Sequence, residues 1–175
     1  LPESVDFEQG ALTEPAAVAL YAVHRSSLKA GDTAAVFGTG PIGLLTIEAL
    51  QAAGATDIYA VELSKERQEK ARELGAIVID PEVDGDPVEK IKELSGGGVD
   101  YSYEVTGVPV VLQQSLDVLR SGGESVVISI WESDASIQPN ELVIREKSMI
   151  GTIAYRHVFP QVLKLMEQGY FQKEN

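Results

Sequence analysis

The chain has 175 residues, 44% hydrophobic and 23% charged, with 16 glycines, a composition of globular domains and not of disordered, collagenous or membrane-spanning chains. Its length suits one ordinary domain, expected over residues 1–175, and its formal charge of −13 would repel a phosphate backbone or anionic lipid, so neither nucleic acid nor a membrane is an expected partner. With no cysteine, the chain alone can build neither a disulfide nor a thiolate zinc site, and the composition is compatible with a cytoplasmic protein.

No apolar run approaches the roughly 20 residues needed to span a bilayer, and the start lacks the basic and apolar regions of a signal peptide. The chain opens Leu1-Pro2 without an initiator methionine, which is read as a fragment or a trimmed start. Along the chain, short β-branched runs alternate with amphipathic stretches. The first strand is expected at Thr33 to Phe37, followed by a glycine-rich turn and a helix that opens with Pro41 and stops at Gly54. A second strand follows at Asp57 to Val61, then a helix capped by Ser64 and running to Leu74, then a third strand at Ala76 to Ile79. Asp80-Pro81 and Asp84 to Pro87 read as loop, ahead of a charged helix that leads to Gly96 to Gly98.

The fourth strand is expected at Val99 to Val105, with Gly107 turning the chain into a helix from about Val110 to Leu119. Ser121-Gly122-Gly123 reads as a reversal into a fifth strand, Glu124 to Ile130. An irregular segment, Trp131 to Pro139, precedes a sixth strand at Ser148 to Ala154 and a last helix at Val158 to Gln168. Six strands with helical crossovers fit a mostly parallel α/β sheet covered on both faces; read as a doubly wound Rossmann fold, the expected order is 3-2-1-4-5-6. Alternation alone leaves a five-stranded flavodoxin-like arrangement open.

Gly38-Thr39-Gly40-Pro41-Ile42-Gly43 spells GxGxxG between a strand and a helix. Gly38 permits the tight turn, Gly40 lets a pyrophosphate approach the backbone, and Gly43 lets the helix pack closely on the strand. The helix N-terminus then offers free N–H groups and a positive dipole end to the phosphates. Without a ligand, the same residues would be three turn glycines. Glu62, 19 residues beyond Gly43 at the end of the second strand, stands where an acid accepts hydrogen bonds from the adenosine ribose hydroxyls and repels a 2′-phosphate. It predicts NAD over NADP. Lys65 and Arg67 pull the other way, because nearby cations accommodate a 2′-phosphate, although each reads first as a solvated helix residue, the commoner fate of such cations.

Taken together, GALTEPAAVALYAV (10–23), FGTGPIGLL (37–45), VELSKERQEKARELGA (61–76), GGGVDYSYEVTG (96–107), LRSGGESVVISIW (119–131) and IGTIAYRHVFPQVLKLMEQGYF (150–171) resemble the cofactor domain of the zinc-type, medium-chain alcohol dehydrogenase family. The last two segments look most like its 2,3-butanediol dehydrogenase branch, a relative of sorbitol and threonine dehydrogenases. The resemblance implies NAD as cofactor, a small secondary alcohol or diol as substrate, and zinc held mainly by a separate GroES-like domain that this sequence does not contain. The expectation is therefore a chain that binds cofactor but does not oxidise alcohol by itself.

The same resemblance assigns residues. Glu14, before Pro15, matches the position where the polyol branch has a glutamate and other alcohol dehydrogenases a zinc cysteine; it is also readable as a helix N-terminal acid. Ile42 looks like the residue that presses on the nicotinamide ring, and Arg67 like the basic residue against the adenosine ribose. Val105, Thr106, Ile128, Ser129 and Ile130, at the carboxyl ends of the fourth and fifth strands, would hold the carboxamide through backbone groups, with Thr152 and Ala154 approaching from the sixth. Val105, Ile128 and Ile130 also suit plain core packing. Trp131 is expected at the pocket's border. His24 and His157, the two histidines, lack metal-ligand spacing and read as packing or surface residues.

Two functions of other classes stay open at this point: a stand-alone nucleotide-sensing module and a methyltransferase-like domain. A homodimer through Ser148 to Ala154 is also expected. Family members join there, and an apolar edge strand leaves N–H and C=O groups for a twofold partner unless Arg145, Glu146 and Lys147 blunt the edge.

Overall fold

The structure, a computed structural model, describes residues 1–172; residues 173–175, the end of the expected domain span, lie outside the described residues. It opens with two helices. Asp6 accepts the Gln9 N–H at 2.8 Å and caps α1 (Phe7–Ala11), which leads directly into α2 (Thr13–Arg25). Neither helix is among the elements expected from the strand pattern. The buried face of α2 is mostly alanine (Ala16, Ala17, Ala19, Ala22), and such small side chains let it lie close to the helix after β1.

The first half of the sheet follows as β1 (Ala34–Phe37), α3 (Pro41–Ala52), β2 (Ile58–Val61), α4 (Lys65–Glu73) and β3 (Ile77–Ile79). Ser64 stands at the N-cap of α4, but its hydroxyl makes no capping bond. The segment expected as loop contains a short helix, α5 (Pro81–Asp84), and the charged helix expected ahead of Gly96 is α6 (Pro87–Ser95). Each is started by an aspartate before a proline: Asp80 accepts the Glu82 N–H, and Asp86 those of Val88 and Glu89.

The second half runs β4 (Val99–Glu104), α7 (Pro109–Asp117), β5 (Leu119–Val127), α8 (Pro139–Ile144), β6 (Ser148–Gly151) and α9 (Phe159–Glu167). Ser121-Gly122-Gly123 does not reverse the chain ahead of a strand. Leu119 already pairs with Val99 and Glu124 with Tyr101, so these three residues bulge out of β5, and Gly122 donates its N–H to the Arg145 carbonyl. β4 and β5 end earlier than expected, at Glu104 and Val127, and β6 ends at Gly151. Val105, Ile128 and Thr152 still donate one N–H each to the neighbouring strand before the chains splay into loops.

All pairings are parallel and the order is β3-β2-β1-β4-β5-β6, the six-stranded doubly wound sheet expected. Side-chain alternation along β1 builds both layers. Ala34 and Val36 join a cluster with Leu20, Ile47, Leu50 and Val162, while Ala35 and Phe37 join one with Tyr59, Ile91 and Leu116. With β2 on one side of β1 and β4 on the other, the chain leaves β1 at the point where the strand order reverses, and ligands of open α/β sheets bind outside the carboxyl ends there.

Candidate functional site

At that point Gly38 turns the chain with φ +90°, a conformation that costs a side chain dearly. A Cβ on it would stand 2.7 Å from the Thr106 methyl, and a Cβ on Gly43 would stand 2.0 Å from the Gly38 carbonyl oxygen. The first and third glycines are therefore demanded by packing, whether or not a ligand is bound. Gly40 differs. A Cβ there meets only the Arg67 guanidinium, 3.9 Å away, so the space before the turn is open and faces a cation. Gly40 is also the N-cap of α3 and supplies no capping side chain, and Pro41 follows at the first helical position. The first-turn N–H groups of a 12-residue helix thus point at open space beside Arg67, a cradle suited to a pyrophosphate.

Glu62, just past β2, is partly buried beside the same turn. Its Oε2 accepts the N–H and the hydroxyl of Thr39 at 2.8 and 3.1 Å, and its Oε1 the N–H groups of Leu63 and Ser64 at 2.8 and 2.9 Å. Desolvation works against the ionised form, but these hydrogen bonds, led by that from Ser64, prevail and hold the carboxyl below its ordinary value. Lys65, one of the two cations that favour a 2′-phosphate, is engaged by the buried Asp80 carboxylate instead. Arg67 is exposed next to the glycine turn.

Across the carboxyl ends of β1, β4 and β5 lies a mainly apolar cavity of about 520 Å³ lined by Val18, Pro41, Ile42, Val105, Ile128, Ser129, Ile130, Ile153 and Ala154. Seven of these nine were expected from sequence. Val18 and Ile153 were not, because Val18 comes from α2 and Ile153 from the loop beyond β6. Ile130, 80% exposed, forms an uncovered apolar rim. Two expected residues serve the cavity without lining it: the Thr106 methyl backs the glycine turn, and the Thr152 hydroxyl is buried without a hydrogen-bond partner among the described residues. Thr152 and Ala154 lie beyond β6, and Ala154 takes φ +50° there. The open cradle, the orphaned hydroxyl and an apolar cavity wide enough for a planar ring together fit a dinucleotide.

Residues 41–168 match the zinc-binding dehydrogenase family. The chain is 62% identical to the (R,R)-butanediol dehydrogenase of Bacillus subtilis strain 168, over 99% of this chain and 50% of that protein. The crystal structure of 2R,3R-butanediol dehydrogenase from Bacillus subtilis superposes with a TM-score of 0.97 at the same identity, over 99% of this chain and 50% of that one. This chain belongs to the zinc-binding dehydrogenase family. A family structure from Sinorhizobium meliloti 1021, solved with NADP, superposes with a TM-score of 0.91 at 33% identity, covering 97% of this chain and 51% of that one. The chain thus spans about half the length of the relatives it matches.

Zinc is implied by the family, so the donor set decides whether these residues fit it. Glu14 lies exposed in the first turn of α2, the sequence has no cysteine, and among the described residues no group of three or more His, Asp or Glu converges to hold a metal ion. Zinc needs about four convergent donors, and these residues do not supply them. His24 lines a separate groove of about 430 Å³ between α2, α3 and α9, and His157 is exposed.

The lowered pKa of Glu62 makes acid stability a direct reading of its hydrogen bonds. The stabilisation is complete above the ordinary value of 4.5 and is lost as pH falls below it toward the folded-state pKa. The melting-temperature gap between the wild type and Glu62→Gln is expected to be widest near neutrality and to close below about pH 4.5. A gap independent of pH would contradict these bonds.

Proposed function

We propose that this chain is the NAD(H)-binding half of a zinc-type dehydrogenase of the butanediol dehydrogenase kind, which moves hydride between a small secondary alcohol or diol and the nicotinamide. The observation that carries the reading is the continuity of one edge: Arg67 and Glu62, the glycine turn, then the apolar cavity, in the order ribose, pyrophosphate and nicotinamide require. Bound there, the nicotinamide supplies the hydride chemistry. Ile42 and Val18, which line the cavity, would press on the ring and exclude water from it, while backbone groups of Val105, Thr106 and Ile128 to Ile130 and the Thr152 hydroxyl, unpartnered among the described residues, would hold the carboxamide. Family membership favours this reading over a stand-alone nucleotide sensor or a methyltransferase-like domain.

Glu62 supports NAD over NADP. Each of its oxygens already has two donors, so a ribose hydroxyl must displace one. The Thr39 hydroxyl is the donor that can leave, since it also reaches the Arg67 carbonyl at 3.4 Å. A 2′-phosphate would bring negative charge to the same carboxylate, with Lys65 held by Asp80. Calorimetric titration is expected to give tighter binding of NADH than of NADPH, and Glu62→Ala to weaken NADH by about 1–3 kcal/mol. Equal or tighter binding of NADPH would overturn the assignment.

The homodimer through residues 148–154 is part of the same proposal. β6 is the edge of the sheet, Ile153 is 66% exposed, and Lys147 does not guard the edge because it is buried and donates to the Leu116 carbonyl and to Glu141. Sedimentation at micromolar concentration is expected to show a dimer that Ile150→Pro dissociates. A monomer in both proteins would sink the edge pairing.

A further inference from the structure

Glu104, the last residue of β4, is fully buried and is not among the site residues expected from the sequence. Its Oε1 accepts three donors: the Thr106 N–H at 2.7 Å, the Thr106 hydroxyl at 2.5 Å and the Gly107 N–H at 3.0 Å. Its Oε2 accepts the Ser129 hydroxyl. The Thr106 hydroxyl in turn accepts the Val108 N–H at 3.1 Å. One carboxylate therefore ties together the loop after β4 and the loop after β5. Those two loops carry Val105, Ile128, Ser129 and Ile130, which wall the apolar cavity. The Thr106 methyl, held by the same network, backs Gly38 of the phosphate turn.

We propose that Glu104 is a positioning residue for the nicotinamide half of the site, setting the separation of the two loops that receive the ring; the inference rests on the dinucleotide reading above. A space-filling role alone would suit an apolar side chain, since burying a carboxylate is costly unless every oxygen is satisfied. Here the N–H groups of Thr106 and Gly107 have passed the end of β4, and the carboxylate supplies the acceptor that a neighbouring strand no longer offers. What the network needs is reach and acceptor geometry more than charge. All of these contacts lie on the β4 and β5 side of β1, away from Glu62 and Arg67, so the adenosine half is not governed by it.

The test separates the two halves of the ligand. NADH and AMP are titrated by calorimetry against the wild-type chain, Glu104→Asp and Glu104→Gln, each checked for a cooperative melt. The aspartate keeps the charge but is one methylene short of bridging Thr106 and Ser129. It is expected to weaken NADH about tenfold and to leave AMP within about threefold. The glutamine keeps the reach, its amide oxygen facing Thr106 and Gly107 while the Ser129 hydroxyl turns to accept from the amide nitrogen, and is expected to hold both ligands within about threefold. If Glu104→Asp does not fold, Ser129→Ala, which severs the Oε2 link with Glu104 in place, is expected to show the same split between NADH and AMP. Equal losses of NADH and AMP, unchanged NADH binding in the aspartate variant, or a glutamine variant as weak as the aspartate would overturn the role of Glu104. Failure of the wild type to bind NADH at all would instead overturn the dinucleotide reading, and this inference with it.

Discussion

A Cβ on Gly43 would stand 2.0 Å from the Gly38 carbonyl oxygen, and that prohibition governs how α3 leaves β1. The first turn of the helix lies directly over the turn that starts it, with no side chain between. The helix N-terminus is thereby brought to the switch point of the sheet, where its free N–H groups meet open space and not a capping side chain. From this one contact follow the cradle at Gly40, the seating of Ile42 over the cavity, and the close approach of α2, whose alanine face fits against α3. A larger residue at 43 would move the helix, and with it every wall of the site that α3 supplies.

Two glutamates then organise what lies to either side of the turn, and their surroundings give them different work. Glu62 is partly exposed and its four donors include a hydroxyl with a second acceptor in reach, so the carboxylate can trade a partner for a ribose. Glu104 is wholly buried, and its backbone donors Thr106 and Gly107 have no such exchange available, so its bonds are permanent structure. On the proposed reading, the same functional group serves recognition where water and ligand can reach it and rigidity where they cannot.

The strands, the glycine turn and Glu62 were legible in the sequence because each is local: apolar runs set the strands, and Pro41 and the glycines punctuate the turn; the sheet order came only with the Rossmann pattern that the turn implies. The cavity residues 105, 128 to 130 and 154 became legible through family resemblance, because nothing in their own composition separates a cofactor wall from core. What escaped was tertiary. Val18 joins the cavity only because α2, an alanine-rich helix, folds across α3; the aspartate–proline pairs that start α5 and α6 carried the same signal as Pro41 but were read as loop. The Ser121-Gly122-Gly123 bulge looked like a turn, and Lys147 looked like a solvated guard until its ammonium was seen bonded to Leu116 and Glu141. Glu104 gave no signal at all, since a buried carboxylate declares itself only through its donors.

On the proposed reading, a dinucleotide lies along one edge of the sheet, from Glu62 across the glycine turn to the cavity beyond β4 and β5. Amide chemical shifts of the labelled chain during NADH titration test it most directly. Perturbations are expected at residues 38–43, 62–67, 105–107, 128–130 and 152–154, saturating with one affinity, with no response along the separate groove lined by Leu20, His24, Gln161, Lys164 and Gln168. Shifts concentrated in that groove, with the amides of Gly40, Ile42 and Gly43 unmoved, would contradict it.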